Sequence, residues 1–175
     1  MLTFGLDPGP KMTAAALVDT SRPRPYLLEY GWLPNAEIRE WIAEVRCDVV
    51  GVETPDECHG RGDMTTAAVF ALGTNLTKLG KVATDMARDA EARGIPTYTF
   101  TARQWRKQVP RTRGGVGDKA VKAWLTVYLD GLVRCSCHVR DAAGVALHAA
   151  NLFRISSRAG HVLRAVLKQV RPAAR

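Results

Sequence analysis

The run VVGVE at 49–53 constrains the fold more than any other stretch, because four apolar residues precede a carboxylate with no polar alternation along them. Such a run is a strand buried on both faces, and strands of that kind sit inside sheets whose connections are helical. The preceding segment supplies the connection. After Pro34-Asn35, residues Ile38, Trp41, Ile42 and Val45 recur at helical spacing, ending near Arg46. A strand reached through a helical crossover lies parallel in the same sheet, so Glu53 is expected at the carboxyl end of an interior strand.

Before that helix the chain predicts three strands: LTFGLD at 2–7, TAAALVD ending at Asp19, and YLLEYGWL from Tyr26, after the breaker SRPRP. Their short connections imply an antiparallel meander. Beyond Glu53, the loop TPDECHGRGD leads to Asp63, a candidate N-cap for a long helix to about Arg93 with Leu72, Leu76, Leu79, Val82, Ala83 and Met86 on one stripe. Gly73 and Gly80 interrupt it at a cost of roughly 1 kcal/mol each relative to alanine, which points to a close backbone neighbour, either the sheet or a second copy of the chain. IPTYTF at 95–100 reads as a fifth strand, TARQWRKQV as a short helix, and RTRGGVGDK as a basic loop. Asp118 is the expected cap of a helix through Leu129, and a last helix covers about 138–157. The order predicts an α/β domain over 1–157, a five-stranded mixed sheet with strands 1–3 antiparallel and strands 1, 4 and 5 parallel, flanked by helices. Residues 158–175 form a basic C-terminal tail or helix.

Charge is distributed unevenly along the 175 residues. Residues 1–100 hold 10 Lys/Arg against 14 Asp/Glu, a net of −4, while residues 101–175 hold 15 against 3, a net of +12. A surface of that sign suits a polyanion, and the expected partner is nucleic acid. No apolar run approaches the roughly 20 residues that cross a bilayer, and no leader precedes the first strand, so no membrane is expected and the cytoplasm is the expected location. The four cysteines do not make a disulfide framework, and CSCH at 135–138 lacks the C-x₂₋₄-C spacing of a zinc site. All four tryptophans fit packing roles; Trp105, flanked by Arg103, Arg106 and Lys107, is the candidate for stacking on a base.

The chemistry gathers around carboxylates. Asp7 ends the first strand before Pro-Gly-Pro, where Asp is also ordinary turn chemistry. Glu53 ends a buried strand, where an unpaired carboxylate is costly and calls for a cation. Acids on two neighbouring strand ends imply a metal. His138 and Asp141 lie three apart on a helix, with a rise of about 4.5 Å between them, and so share a face. His148 is seven residues beyond Asp141, a rise of about 10.5 Å, and is read as a packing or DNA-facing residue.

Taken together, GLDPGPKMTAAALVD, VVGVE, ARQWRKQ followed by VGDK, and HVRDAAGVAL resemble, in this order and spacing, the bacterial RuvC family of Holliday-junction resolvases, over about residues 5–157. The resemblance implies a ribonuclease H-like fold in which strand 1, strand 4 and the last helix meet. It implies an endonuclease cutting symmetric strands of a four-way DNA junction by two-metal hydrolysis, with two Mg²⁺ or Mn²⁺ ions held by Asp7, Glu53, His138 and Asp141. Asp7 bridges both ions in this scheme, and the imidazole of His138 favours Mn²⁺. Lys119 matches a basic family position and would stabilise charge on the phosphate; either Arg106 or Lys107 binds the strand. Arg103, Arg106, Lys107, Arg111, Arg113 and Lys122 are the candidate DNA contacts. A homodimer through helix 64–93 is implied as well. Family members often carry an aromatic wedge after the second acid; 54–64 has none, leaving Arg61 or Met64 as substitutes. The alternative within this fold is a nuclease acting on structured RNA or on forked or flapped DNA. A phosphate-loop ATPase is disfavoured by length and by the lack of a second glycine-rich loop, so no nucleotide cofactor is expected.

Overall fold

The chain enters as a meander of three strands, β1 (Leu2–Pro8), β2 (Met12–Asp19) and β3 (Tyr26–Pro34), crosses over through α1 (Asn35–Glu44), and returns as β4 (Val49–Thr54). The structure, a computed structural model, describes residues 1–56, 66–110, 116–132 and 135–170, with backbone alone for 66–71 and 157–170. Helix α2 (Thr66–Ala92) leads to β5 (Thr97–Thr101), which continues into the short α3 (Ala102–Trp105) and a single 3-10 turn at Arg106–Gln108. Two further helices, α4 (Asp118–Tyr128) and α5 (Cys137–Val170), complete the described chain.

The sheet order is β3-β2-β1-β4-β5. β1–β2 and β2–β3 pair antiparallel, β1–β4 and β4–β5 parallel, so the five-stranded mixed sheet expected from the strand runs is the one found. Period-2 alternation divides β1 and β4 between two cores. Phe4, Leu6, Val50 and Val52 face α1 and α2, packing with Ile38, Ile42, Ala83 and Met86. Val49, with Ala14, Ala16 and Val18 of β2, faces α4 and α5, whose Trp124, Leu125, Ala142 and Ala146 cover that side.

On the α5 side the sheet has a floor of glycine. Gly5 of β1 and Gly51 of β4 are register partners. A Cβ on Gly5 would lie 2.1 Å from the Ala142 carbonyl oxygen and 2.6 Å from the Ala146 nitrogen. The α5 backbone therefore rests almost directly on the strands. Two residues further along each strand, on the same face, come Asp7 and Glu53.

Several expectations need correction. The cap of α4 is Gly117, and Asp118 is the first helical residue, where its charge favours the helix N-terminus without a side-chain capping bond. The last helix does not stop near 157 but runs to Val170. Gly73 and Gly80 of α2 do not mark contact with the sheet: among the described residues nothing lies within 4 Å of a Cβ at Gly73, and only Pro55, at 3.9 Å, at Gly80. The proposed cap Asp63, the loop residues Cys58, His59, Arg61 and Met64, and the basic Arg111 and Arg113 lie outside the described residues. Among the described residues, no helix is long and apolar enough to cross a membrane.

Candidate active site

β1 and β4 run parallel in a register that pairs Leu6 with Val52, so Asp7 and Glu53 end neighbouring strands side by side at their carboxyl ends. The glycine floor lets α5 bring its first turns over those ends. There the Nδ1 of His138 lies 2.9 Å from Oδ2 of Asp7. One turn on, Asp141 accepts a 2.8 Å hydrogen bond from Nη2 of Arg106. The structure thus brings His138 into contact with Asp7 and sets Glu53 and Asp141 within electrostatic reach of Asp7.

The segment after β5 supplies partners to two of the acids. Trp105 donates its indole N–H to Oε2 of Glu53 at 2.6 Å, and the next residue, Arg106, pairs with Asp141 and lies 3.8 Å from Asp118. Trp105 is fully buried and lies across Gly144 of α5, where a Cβ would come within 2.5 Å of its ring. It is not available to a base; it holds Glu53. Between Arg106 and Lys107, it is Arg106 that faces the acids, with its Nε buried and unpartnered among the described residues. Arg103, Arg106 and Lys107 together line an adjoining cavity of about 430 Å³. Lys119 and Lys122 are exposed on α4, Lys119 in its first turn next to Asp118. His148 packs edge-on against Phe100, centroids 4.8 Å apart, and burial lowers its pKa; it is a packing histidine.

Electrostatics mark the cluster as uncomfortable in its own company. Burial raises the pKa of Asp7, offset in part by the hydrogen bond and charge of His138 and by Arg106. Burial likewise raises Asp141, with Arg106 opposing and Asp7 reinforcing. Glu53 is pushed up to about 8, first by burial, then by the charge of Asp7, with Trp105 opposing and Asp141 adding. Three carboxylates and an imidazole are donors that Mg²⁺ and Mn²⁺ accept, and their mutual repulsion is what a cation relieves. As they stand among the described residues, no three converge on one point, because each carboxylate is engaged by its own partner. The set fits a divalent ion in kind, and loading requires Asp7 and Asp141 to exchange those partners.

The displaced pKa of Glu53 has a consequence for stability. Unfolded, this carboxyl titrates at its ordinary 4.5, and folded at about 8. Between those values unfolding releases a proton, so the group's contribution to stability falls as pH rises from about 4.5 to about 8 and levels off above. Glu53→Gln keeps an oxygen for the Trp105 N–H and removes the charge. Thermal unfolding in chelator should show it more stable than wild type by about 1–3 kcal/mol at pH 8 and indistinguishable near pH 4.5. A destabilised variant at pH 8 counts against a strained carboxylate.

Two contributors escaped the sequence. Asn35 clamps the turn after Asp7, its amide donating to the Gly9 carbonyl at 3.1 Å and accepting from Thr13 at 2.8 Å. Trp32, expected to pack, is 52 % exposed and stacks on His138, centroids 5.5 Å apart with planes at 25°.

No family model matches the chain, and no curated protein matches it. Solved structures do. Thermus thermophilus RuvC in complex with a Holliday junction superposes with a TM-score of 0.66 at 20 % identity, covering 89 % of this chain and 96 % of that one. The chain has the fold of RuvC. A second Thermus thermophilus RuvC structure gives a TM-score of 0.59 at 18 % identity, over 89 % and 97 % of the two chains. The Fowlpox virus resolvase in complex with Holliday junction DNA is more distant, at 11 % identity and a TM-score of 0.47 over 82 % and 94 %. The RuvC fold over nearly the whole described chain is the ribonuclease H-like architecture that the sequence resemblance implied.

Proposed function

We propose that this protein is a structure-selective endonuclease that resolves Holliday junctions by metal-dependent hydrolysis of symmetric DNA strands. The observation that carries the proposal is the proximity of Asp7, Glu53, His138 and Asp141, from β1, β4 and α5, at the strand ends of a RuvC fold. Its support is the adjoining cavity lined by Arg103, Arg106 and Lys107, which offers cations to the phosphates on either side of a cut. Asp7 would serve two Mg²⁺ or Mn²⁺ ions, Glu53 one of them, and His138 with Asp141 the other. When bound, such ions lower the pKa of a water and neutralise charge on the leaving oxygen. The chain's own residues do the rest. Trp105 fixes the Glu53 carboxylate, Arg106 becomes free for a phosphate when Asp141 releases it, and Lys119 and Lys122 extend the basic surface along α4. A junction offers two equivalent strands, and a homodimer through α2 would present one site to each.

Synthetic four-way junctions, duplexes, forks and structured RNA, each with Mg²⁺ or Mn²⁺, test this directly. The junction should be cut in two symmetric strands, faster with Mn²⁺, by a species sedimenting as two chains. Preference for fork, flap or RNA replaces the junction assignment with the other nuclease, and no cleavage with any divalent ion removes the enzyme.

A further inference from the structure

Asp7, Glu53 and His138 line a cavity of about 510 Å³. Pro8, Met12, Trp32, Pro55 and Leu79 give it an apolar wall, with Lys11 at the turn beside Asp7. Phosphate and sugar are polar and give no reason for such a wall. An indole half exposed to water on an edge strand is a site awaiting a partner rather than a piece of core. One part of its surface is already covered by the imidazole of His138, and Trp32 also lines this cavity. In the nuclease reading a phosphate lies beside the acids, and the object that is flat, largely apolar on its faces and covalently tied to it is a nucleobase.

We propose that this cavity receives a nucleobase unstacked from the strand next to the cut phosphate, and that Trp32 stacks on it. The inference deepens the nuclease reading and rests on it for the position of the phosphate. Unstacking is cheapest where pairing is already broken, so a base-receiving cavity beside the acids selects branched or single-stranded positions over intact duplex. Stacking on an aromatic ring is tolerant of base identity, so the cavity adds structure selectivity before sequence selectivity. Lys11, on the turn clamped by Asn35, places a positive charge on the same wall for the backbone to follow.

The test is a coupling measurement made in chelator, so that no strand is cut. Wild type, Trp32→Ala and Trp32→Phe are titrated with a four-way junction and with versions carrying one abasic nucleotide at each position around the exchange point. Trp32→Ala should bind the intact junction roughly 5- to 150-fold more weakly, the worth of one stacked base, and Trp32→Phe should stay within a few-fold of wild type. At one abasic position wild type should show a comparable loss that Trp32→Ala does not show, because base and indole then belong to one interaction. Losses that add at every position, or unchanged binding by Trp32→Ala, overturn the proposal. A role confined to propping His138 gives additive losses and so is told apart. If single strands or forks bind in place of junctions, the junction assignment fails, and the same abasic scan on that DNA still decides the cavity. Absence of binding to every DNA overturns both.

Discussion

Asp7→Asn is expected to leave the protein folded, at least as stable as wild type, and slower in strand cleavage by roughly 10³-fold or more. The two halves of that result have one cause. Asp7 is a carboxylate held where burial raises its pKa, beside Glu53, which burial first and then the charge of Asp7 push up to about 8. Asparagine keeps the shape and can still meet His138, yet removes the charge that Glu53 and Asp141 resist. A carboxylate kept for structure gives the opposite pattern, since removing one partner of a buried pair is strongly destabilising. Stability retained with activity lost is the signature of a charge kept for chemistry at the fold's expense. Thermal unfolding with and without Mn²⁺ gives an independent readout. The ion should raise the melting temperature of wild type by mass action on the folded state, and do so far less for the variant. Cleavage at the wild-type rate by Asp7→Asn would remove the metal-binding quartet from the account.

How much of this was legible beforehand differs between sheet, site and surface. The sheet was, because VVGVE and the three runs before it carry their own periodicity, and a helical crossover leaves little freedom in how strand 4 joins strand 1. The acids were legible for a related reason: a carboxylate ending a buried apolar run is conspicuous whatever packs on it. Their partners were not. That Trp105 holds Glu53 and Arg106 holds Asp141 depends on β5 delivering α3 beneath Gly144, a tertiary fact with no local signature. Trp32 was misjudged because alternation along YLLEYGWL says which residues share a face and not whether that face is covered. On edge strand β3 it is covered only in part, leaving Tyr30 and Trp32 exposed. The glycines teach the same lesson. Gly73 and Gly80 drew notice by interrupting a helix and meet almost nothing among the described residues, whereas Gly5 and Gly51, unremarkable within strands, bear the helix that brings the site together.

Gly5→Ala should therefore be among the most damaging single changes, though it adds only one methyl. The added carbon meets the Ala142 carbonyl oxygen at 2.1 Å, the Ala146 nitrogen at 2.6 Å and the Ala146 Cβ at 2.9 Å. Two of those are backbone atoms of a helix, which cannot rotate aside as a side chain can. Either α5 lifts or β1 sinks, and both break the layer in which Ala142, Ala146 and Ala149 lie on the sheet. The expected cost is about 3 kcal/mol or more, a fall of roughly 6–12 °C in melting temperature for a chain of this size. At Gly51 the neighbours are side chains, Ala149 Cβ at 2.9 Å, Phe100 Cζ at 3.1 Å and Val145 Cγ1 at 3.1 Å, so Gly51→Ala should cost less, about 1–2 kcal/mol. Activity separates the two further. Lifting α5 carries His138 and Asp141 away from Asp7, and a displacement near 1 Å in a reacting geometry costs on the order of 10²-fold in rate. Cleavage by the folded fraction of Gly5→Ala should fall by about that factor at a temperature well below its melting point, whereas the folded fraction of Gly51→Ala keeps most of its rate. Equal losses at the two positions, or a Gly5→Ala protein that melts and cuts like wild type, would mean that the close seating of α5 on β1 is not what assembles the four side chains.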